Sequence, residues 1–326
     1  MAFEQLLNRL ADGQFHSGEE LGELLGVSRT AVWKQLQKIQ DLTDLPLESA
    51  KGRGYRLKDG LELLDATSIR AAVSSQAKPL LNELRLLEQV DSTNRLAMTE
   101  AQAGAGRGYV IAAEQQSAGR GRRGRTWISP FARNIYCSVI WEFDGGAAAL
   151  EGLSLAVGVA VTKAMAAIGV SDAGLKWPND VVWNGRKLAG ILIEMTGDAA
   201  GRCQVIVGIG INVSMAGSQA ADAIDQAWVD VQSVLRAKVS RNQLLGCLLS
   251  ELLPTLSLFE RQGFSVFQSD WAALDNMRGK PVSVLLGEQV VLGTAAGVDD
   301  SGALLLDTPT GRQAFHGGEV SLRLQN

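Results

Sequence analysis

The sequence predicts an α+β protein in three parts: an N-terminal winged helix-turn-helix (residues 1–62), a central α+β domain with a mixed sheet (63–272) and a C-terminal small SH3-like β-barrel (273–326). Three observations predict this architecture. Apolar residues recur at helical spacing near the N-terminus and are followed by a basic hairpin pattern. Strand patterns cluster in the middle of the chain and do not alternate strictly with helices. Beyond residue 277, short apolar runs are separated by glycine-containing turns.

The first 26 residues predict two short helices. Four apolar residues at helical spacing define the first (Phe3, Leu6, Leu7 and Leu10). Segment 17–20 fits a capping box for the second helix. In a capping box the hydroxyl of Ser17 accepts from a free backbone amide, and Glu20 reaches back to the cap. Gly26 then ends the second helix in a tight turn.

A third helix and a hairpin complete the predicted DNA-binding part. Ser28 can cap a helix from Arg29 to about Gln40, whose apolar side repeats at helical spacing (Val32, Leu36 and Ile39). A hairpin with a basic tip at 51–54 follows and is typical of a wing. The predicted DNA-contacting residues are Ser28, Arg29, Thr30, Trp33, Lys34, Gln37, Lys51 and Arg53. Residues 1–60 hold eight basic and nine acidic residues. The charge therefore supports only local DNA contacts, and docking of another protein is the alternative.

Composition limits the classes of protein to consider. A hydrophobic content of 46% and a net charge of −4 are those of an ordinary soluble globular protein. The three cysteines are widely spaced, which indicates buried, reduced thiols rather than a zinc site or a disulfide framework. Two histidines leave little room for a multi-histidine metal site. The N-terminus lacks the layout of a signal peptide, and the most apolar stretch, 153–161, is too short to span a bilayer. We therefore expect a cytoplasmic protein without a membrane partner.

The most distinctive segment is 119–125, in which four arginines and three glycines occupy seven consecutive positions. Glycine lets a backbone approach a ligand closely, and arginine offers forked donors to phosphates and carboxylates. The segment fits a nucleic-acid-binding run, a solvated loop or an anion-binding lid. Structured flanks, with Trp127 as either a lid anchor or a core residue, favour the lid.

Four further motifs carry polar groups suited to a nucleotide. Lys176-Trp177-Pro178-Asn179-Asp180 combines a turn with a cation and a carboxylate. Segment 185–194 places Lys187 at the start of an apolar strand, where simple solvent exposure is the alternative. Segment 208–212 is glycine-rich, although G-x-G alone is a weak signal. Segment 92–94 fits either a helix cap or a pocket of small polar donors. The sequence holds no Walker A motif or nucleophile elbow. Adenylylation, which needs only alignment and charge neutralisation, therefore fits.

Together these motifs closely resemble the biotin–protein ligase family, specifically the bifunctional bacterial ligase and biotin-operon repressor. The resemblance covers nearly the whole chain. It implies that biotin and MgATP form biotinyl-5'-AMP, from which biotin passes to a lysine of the biotin carboxyl carrier protein. It also implies that the retained adenylate favours a homodimer that binds operator DNA.

The resemblance also implies roles for individual residues. Biotin would be held by Ser92, Thr93, Gln116, Gly119 and Arg120. Lys187 would be the catalytic cation, and Arg122 would retain the adenylate. The residues that would contact the nucleotide and Mg²⁺ are Arg125, Lys176, Asn179, Asp180 and Asn212, with Asp180 as the metal ligand. The predicted ligand-binding set is completed by Asn94, Gly121, Trp127, Gly190, Gly208 and Gly210.

One segment departs from the family's pattern. Residues 213–227 lack the basic residues expected of the loop that covers the adenine, so this loop cannot be assigned residue by residue, although Trp228 can still act as its apolar end. Three alternatives to the ligase-repressor stay open at this point. They are a ligase whose winged helix only docks proteins, a ligand-sensing repressor without catalysis, and a lipoate-type acyl ligase. The operator sequence and the role of His316 also stay open.

Overall fold

The computed structural model describes residues 2–43, 45–58, 60–197, 201–287, 289–317 and 320–324. The described strands form three sheets of two, seven and five strands, in that order along the chain. The α+β class and the three-part architecture are confirmed.

The N-terminal part is a winged helix-turn-helix. Its elements are α1 (Ala2–Leu10), α2 (Gly18–Leu25), α3 (Arg29–Thr43), β1 (Leu47–Ala50) and β2 (Gly54–Leu57). Its core residues from the three helices have no exposed surface (Leu6, Leu7, Leu10, Leu21, Val32, Leu36 and Ile39). Gly26 takes the left-handed conformation with φ of 64° and so ends α2, as predicted.

The predicted capping box forms only in part. The Ser17 hydroxyl accepts from the amide of Glu20 at 3.0 Å. The Glu20 carboxylate does not reach back to the cap. Instead it binds Arg9, and its Oε1 lies 2.9 Å from Nδ1 of His16. A cation and a buried imidazole outcompete a backbone amide for this carboxylate. The carboxylate thus joins α2 to the end of α1.

The central part surrounds a seven-stranded mixed sheet. Its elements are α4 (Ala66–Ala72), β3 (Glu83–Val90), α5 (Thr93–Gln102), β4 (Tyr109–Gln116), β5 (Ile135–Phe143), α6 (Leu153–Ala167), β6 (Gly174–Lys176), β7 (Asp180–Trp183), β8 (Arg186–Gly197), β9 (Cys203–Ile211), α7 (Val231–Leu235), α8 (Arg241–Gln262) and α9 (Gln268–Leu274). The strand order is β3-β4-β5-β9-β8-β7-β6. The pair β3–β4 is parallel and the other pairs are antiparallel. Every strand and helix predicted for this part is present.

Helix α6 forms the centre of the largest core cluster. Residues 146–167 are long and apolar enough to cross a membrane by composition, with a mean hydropathy of 1.4, so this apolar segment is longer than the sequence suggested. Most of the segment is buried within the fold, however, and α6 packs against α8. Burial inside the protein accounts for its apolar character, because a helix that is hydrophobic all round needs neighbours on all sides.

The C-terminal part is an antiparallel sheet of five strands. They are β10 (Pro281–Leu286), β11 (Gln289–Val298), β12 (Leu304–Thr308), β13 (Gly311–Phe315) and β14 (Val320–Leu324), in the order β13-β12-β11-β10-β14. The predicted turn at 299–302 is present, and the Asp299 carboxylate accepts from the amides of Ser301 and Ala303. Strand β13 was not predicted, because four of its five residues are exposed and it lacks apolar alternation.

The three parts are joined by buried contacts. Phe131, from the central part, is 2% exposed and belongs to the core cluster of the winged helix. Near the joint, Arg241 and Glu114 form a buried ion pair with Nη1 and Oε2 2.6 Å apart, and Glu114 also accepts from the amide of Leu64. At the other end, the indole of Trp177 donates to the carbonyl of Gly302 at 3.1 Å.

Candidate active site and DNA-facing surface

Two contiguous pockets lie beneath the arginine-glycine segment, which we call the lid (119–125). The inner pocket lies among α5, β4, β8 and β9, and the outer pocket extends toward β14 of the C-terminal sheet. Both are lined by Gly121, Arg122, Trp127, Asn179 and Lys187. The structure thus brings the separate sequence motifs together around one cleft.

A continuous chain of hydrogen bonds borders the inner pocket. Oε1 of Gln116 accepts from both the amide and the hydroxyl of Thr93, at 2.9 and 3.1 Å. The Ser138 hydroxyl lies 2.8 Å from the Thr93 hydroxyl and 2.6 Å from Oδ1 of Asn94. The Asn94 amide donates to Glu194 at 2.9 Å. Such a network fixes the rotamers of its members before a ligand arrives.

Ser92 stands at the N-cap position of α5 and also lines the inner pocket. It precedes α5 and is only 1% exposed, yet its hydroxyl makes no capping bond. Ser92 therefore occupies the cap position that the sequence allowed, but among the described residues its side chain makes no capping bond. Its hydroxyl lines the inner pocket beside Thr93.

The pocket glycines make room for side chains of the protein as well as for a ligand. A Cβ on Gly210 would lie 2.5 Å from the indole of Trp127, and a Cβ on Gly190 would lie 2.9 Å from the same ring. A Cβ on Gly208 would lie 2.1 Å from Oδ1 of Asn94. The Trp127 indole nitrogen is buried, and no hydrogen-bond partner for it is found among the described residues. The Trp127 ring packs against Gly190 and Gly210 and lines both pockets.

The lid is a short closed hairpin. Its ends pair through an isolated bridge between Arg120 and Thr126, and the Trp127 amide donates to Gly119 at 2.9 Å. A Cβ on Gly119 would lie 2.3 Å from the carbonyl of Trp127, so only glycine fits there. At the tip, Arg123 adopts a positive φ of 57°, and its guanidinium donates to Ser321 at 3.0 Å. The lid thus rests on the C-terminal sheet.

Two lid arginines reach opposite sides of the cleft. Nη1 of Arg120 lies 3.0 Å from Oε1 of Glu194, at the inner pocket. Nη1 of Arg122 donates to Oδ1 of Asn179 at 3.0 Å. The lid is therefore held to β8 on one side and to the turn before β7 on the other.

Lys187 forms an ion pair between the two pockets. Its Nζ lies 2.7 Å from Oδ1 of Asp180 and 5.3 Å from the centre of the Trp127 ring. Both paired side chains are about four-fifths buried, being 17% and 20% exposed. A carboxylate holds the ammonium in place where the inner and outer pockets meet.

The outer pocket is strongly cationic. Its basic lining residues are Arg122, Arg123, Arg125, Lys176, Lys187 and Arg323, whereas the carboxylates among its described lining residues are Asp180 and Asp225. Burial lowers the pKa of Lys176, and nearby cations add to this, although Asp180 opposes it. Burial likewise lowers the pKa of Arg122. An anion in this pocket would relieve both effects.

Two predicted nucleotide residues have structural hydrogen bonds. The Asn179 amide donates to the carbonyl of Ile191 at 2.8 Å. The Asn212 amide donates to the carbonyls of Lys187 and Val229, both at 3.3 Å. Asn212 therefore fixes the backbone of Lys187. Trp177 is buried, donates to the carbonyl of Gly302 next to the C-terminal sheet, and precedes a cis Pro178.

The last part of the unassigned segment 213–227 lines the outer pocket at residues 223–226. Asp230 anchors its start by accepting from the amides of Met215 and Ala216, both at 2.7 Å. Its end pairs with the strand of Lys187 through a bridge to Trp228. Ile224 and Trp228 line the pocket and supply apolar surface in place of the missing basic residues.

The predicted DNA-contacting residues lie on the surface of the winged helix. Gln37 is partly exposed. The other seven are exposed, namely Ser28, Arg29, Thr30, Trp33, Lys34, Lys51 and Arg53. The Ser28 hydroxyl accepts from the amide of Ala31 at 3.3 Å, as a cap. The Arg53 guanidinium lies 4.2 Å over the ring of Phe15, which supports the tip of the wing.

Sequence reasoning missed several polar residues of the cleft. Ser138 and Glu194 complete the inner network, and Ser129 accepts from Gln116 at 3.0 Å. Ser321 and Arg323 reach the cleft from β14. A polar Ser138 within the apolar run 135–141 was a usable signal for one of them. The residues of β14 carried no such signal, because their place depends on how the C-terminal sheet docks.

Comparison with known proteins places this arrangement in a family. A model of the biotin/lipoate A/B protein ligase family matches residues 86–212, one of the biotin protein ligase C-terminal domain matches 279–323, and a helix-turn-helix model matches 4–56. The bifunctional ligase/repressor BirA of Salmonella typhimurium is 40% identical over 98% of this chain and 96% of its own length. The chain belongs to the bifunctional ligase/repressor BirA family.

Other relatives agree with membership of the BirA family. The BirA of Escherichia coli is 37% identical over 98% of this chain and 96% of its own length. The structure of a biotin protein ligase from Aquifex aeolicus in complex with biotin and ATP covers 75% of this chain and 100% of its own, with a TM-score of 0.66 and 29% identity. The resemblance drawn from the sequence is confirmed.

Proposed function

We propose that this chain is an ATP-dependent biotin–protein ligase and a biotinyl-AMP-dependent repressor of biotin-synthesis genes. The observation that carries the proposal is the single cleft beneath the lid. It joins a polar inner pocket to a cationic outer pocket at Lys187. The inner pocket suits the neutral ring system of biotin, and the outer pocket suits the phosphates and adenine of ATP.

In the first step, a carboxylate oxygen of biotin bonds to the α-phosphorus of ATP while the bond to pyrophosphate breaks. Lys187 lies where the two pockets meet, so its ammonium neutralises the carboxylate and the α-phosphate together. Gln116, Ser92 and Thr93 hold the biotin ring, and the lid covers it. Positioning and charge neutralisation then supply the catalysis.

In the second step, the amine of a carrier lysine attacks the acyl carbon of biotinyl-5'-AMP. AMP leaves, and the amine loses a proton to solvent. Arg122 spans from the lid to Asn179 and holds the adenylate until a carrier arrives. The carrier lysine belongs to the biotin carboxyl carrier protein of acetyl-CoA carboxylase.

A magnesium ion fits this cleft only together with the phosphates. The described residues contain no group of three or more metal-ligating side chains. Asp180 is a carboxylate of the outer pocket, although it is paired with Lys187. One carboxylate plus substrate phosphates is the usual way in which proteins hold Mg²⁺. Asp180 would hold the ion, which neutralises phosphate charge when bound.

The DNA half of the proposal rests on the winged helix. Its exposed face carries cations on α3 and on the wing, and the segment after the lid contributes Phe131 to its core. We infer that adenylate retention favours a homodimer that binds a two-half-site operator. Biotin- and MgATP-dependent footprinting upstream of biotin-synthesis genes tests this, and protection that ignores biotin would contradict it.

The ligase half is tested by mass spectrometry of a carrier domain that is known to accept biotin, after incubation with the protein, biotin and MgATP. We expect the mass gain of one biotinyl group. Lys187→Ala should slow pyrophosphate release by about 100-fold or more, the scale of losing one positioned charge donor. Lys163→Ala, which removes an exposed lysine paired with Asp270, is the control and should release pyrophosphate at the wild-type rate. No mass gain with wild-type protein would refute the ligase assignment.

A further inference from the structure

The recognition helix carries a large apolar side chain on its polar side. Trp33 is 50% exposed, one turn after Arg29 and one turn before Gln37. The opposite side of α3 is completely buried in the winged-helix core. An indole in this position has no part in the core of its own domain, and it stands among the exposed residues that are predicted to contact DNA.

The surroundings of Trp33 indicate which partner. Exposed cations flank it on α3 and stand at the wing tip (Arg29, Lys34, Lys51 and Arg53). No acidic residue occupies positions 28–38. The face therefore suits a polyanion that also presents an apolar group. The major groove of duplex DNA does so, because thymine carries a C5-methyl group between two phosphate backbones.

Neighbouring residues are placed for different tasks. The stem of Arg29 packs over Gly18 at the start of α2, where a Cβ would lie 3.0 Å from its Cγ. This position suits a phosphate contact. Lys34 is a flexible point charge, which also suits phosphate. Base edges would then be contacted by the residues at the centre of this face, and Trp33 is the largest of them.

We propose that Trp33 is a specificity-determining residue that reads thymine through its methyl group in the major groove. This inference rests on the proposed DNA-binding function. The indole offers a wide apolar surface and a single N–H donor, so it favours a methyl group over the polar edges of guanine and cytosine.

The experiment removes one methyl group at a time from the DNA. Sites are first selected from a random duplex library with the full-length protein, biotin and MgATP. Each thymine of the selected site is then replaced by deoxyuridine. For one or two thymines in each half-site, we expect binding to weaken about fourfold, which is the effect of one buried methyl group. The Trp33→Ala variant should bind the thymine-containing DNA and the deoxyuridine-containing DNA equally.

Lys34→Ala is the matched control on the same face. It should weaken binding to all sequences alike and lower the salt dependence by about one phosphate contact per protomer, while keeping the thymine preference. Carrier biotinylation and the melting temperature verify that Trp33→Ala is folded. An unchanged uracil penalty in Trp33→Ala, or no uracil penalty in the wild type, would overturn the inference alone. Failure of the wild type to select any sequence would overturn the repressor proposal as well.

Discussion

At the scale of single residues, the cleft depends on a few buried charges. Lys187 has its partner in Asp180, and Asn212 fixes its backbone. Lys176 differs, because burial and neighbouring cations both lower its pKa. Burial of the charged lysine destabilises the free protein, Asp180 offsets part of this cost, and a bound anion would add a further favourable interaction.

Substituting Lys176 with methionine should separate these two effects. The KM for ATP should rise about tenfold or more, because one charge-assisted contact to phosphate is lost. The melting temperature of the free protein at neutral pH should rise, because a buried charge is removed. Lys163→Met, on the exposed surface, should change neither quantity. A lower melting temperature for Lys176→Met would contradict the burial argument.

The same lysine gives a pH dependence of defined sign. Its pKa in the folded chain lies below the ordinary value of 10.5. Between the lowered value and 10.5 the unfolded chain binds more protons, so the free energy of unfolding rises with pH in this window. Denaturant titrations across alkaline pH should therefore show wild type gaining stability relative to Lys176→Met.

At the scale of elements, the lid is the segment whose function depends most on its contacts. It is a closed hairpin whose arginines reach β8, the turn before β7 and the C-terminal sheet. Arg122 and Arg123 both stand at its tip, but Arg122 donates to Asn179 in the turn that borders both pockets, whereas Arg123 donates to Ser321 of the C-terminal sheet. Retention of the adenylate is therefore expected to depend mainly on Arg122.

Replacing Arg122 with glycine should release the adenylate about 10- to 100-fold faster, since one bond to a charged group is lost. The measurement is labelling of bystander lysines in a mixture of the carrier and an unrelated protein. Arg123→Gly removes an equal charge at the neighbouring position and should leak far less. Labelling confined to the carrier with Arg122→Gly would show that the lid is held by other contacts.

How far the elements could be predicted depended on burial. Strands such as β5 and β9 were predicted because nearly all their residues are apolar and buried. Strand β13 was missed because its surface is polar, and α7 and α9 are too short to show a helical period. The residues of the site were predicted from their motifs, whereas the links between motifs were not. The bond from Ser138 to Asn94 exists only because α5 packs across β5, which no local pattern encodes.

At the scale of the whole molecule, we propose division of the chain near residues 62 and 272, although the parts share their cores. Phe131 lies six residues after the end of the lid and is buried in the winged-helix cluster. The Tyr136 hydroxyl donates to the carbonyl of Pro130 at 2.8 Å and holds this segment. The segment therefore connects the ligand pocket to the DNA-binding part by direct packing.

Phe131→Ala should weaken this connection. Truncating a buried phenylalanine costs about 3–5 kcal/mol, and here the loss falls on the interface between two parts. Calorimetry should show the winged helix melting separately and earlier, and DNA affinity should lose much of its dependence on biotin. Phe267→Ala, a buried site in the central core, should lower the melting temperature without splitting the transition. A single transition for Phe131→Ala would argue against this coupling.

The position of Phe131 also has a consequence for fragments of this protein. A chain beginning at residue 63 would carry a bare phenyl ring on its surface, where the winged helix now covers it. A fragment of residues 1–62 would have a hole in its own core in place of that ring. An isolated ligase fragment would stay soluble more readily with a polar residue at 131, and an isolated DNA-binding fragment would need a larger apolar side chain to fill the hole.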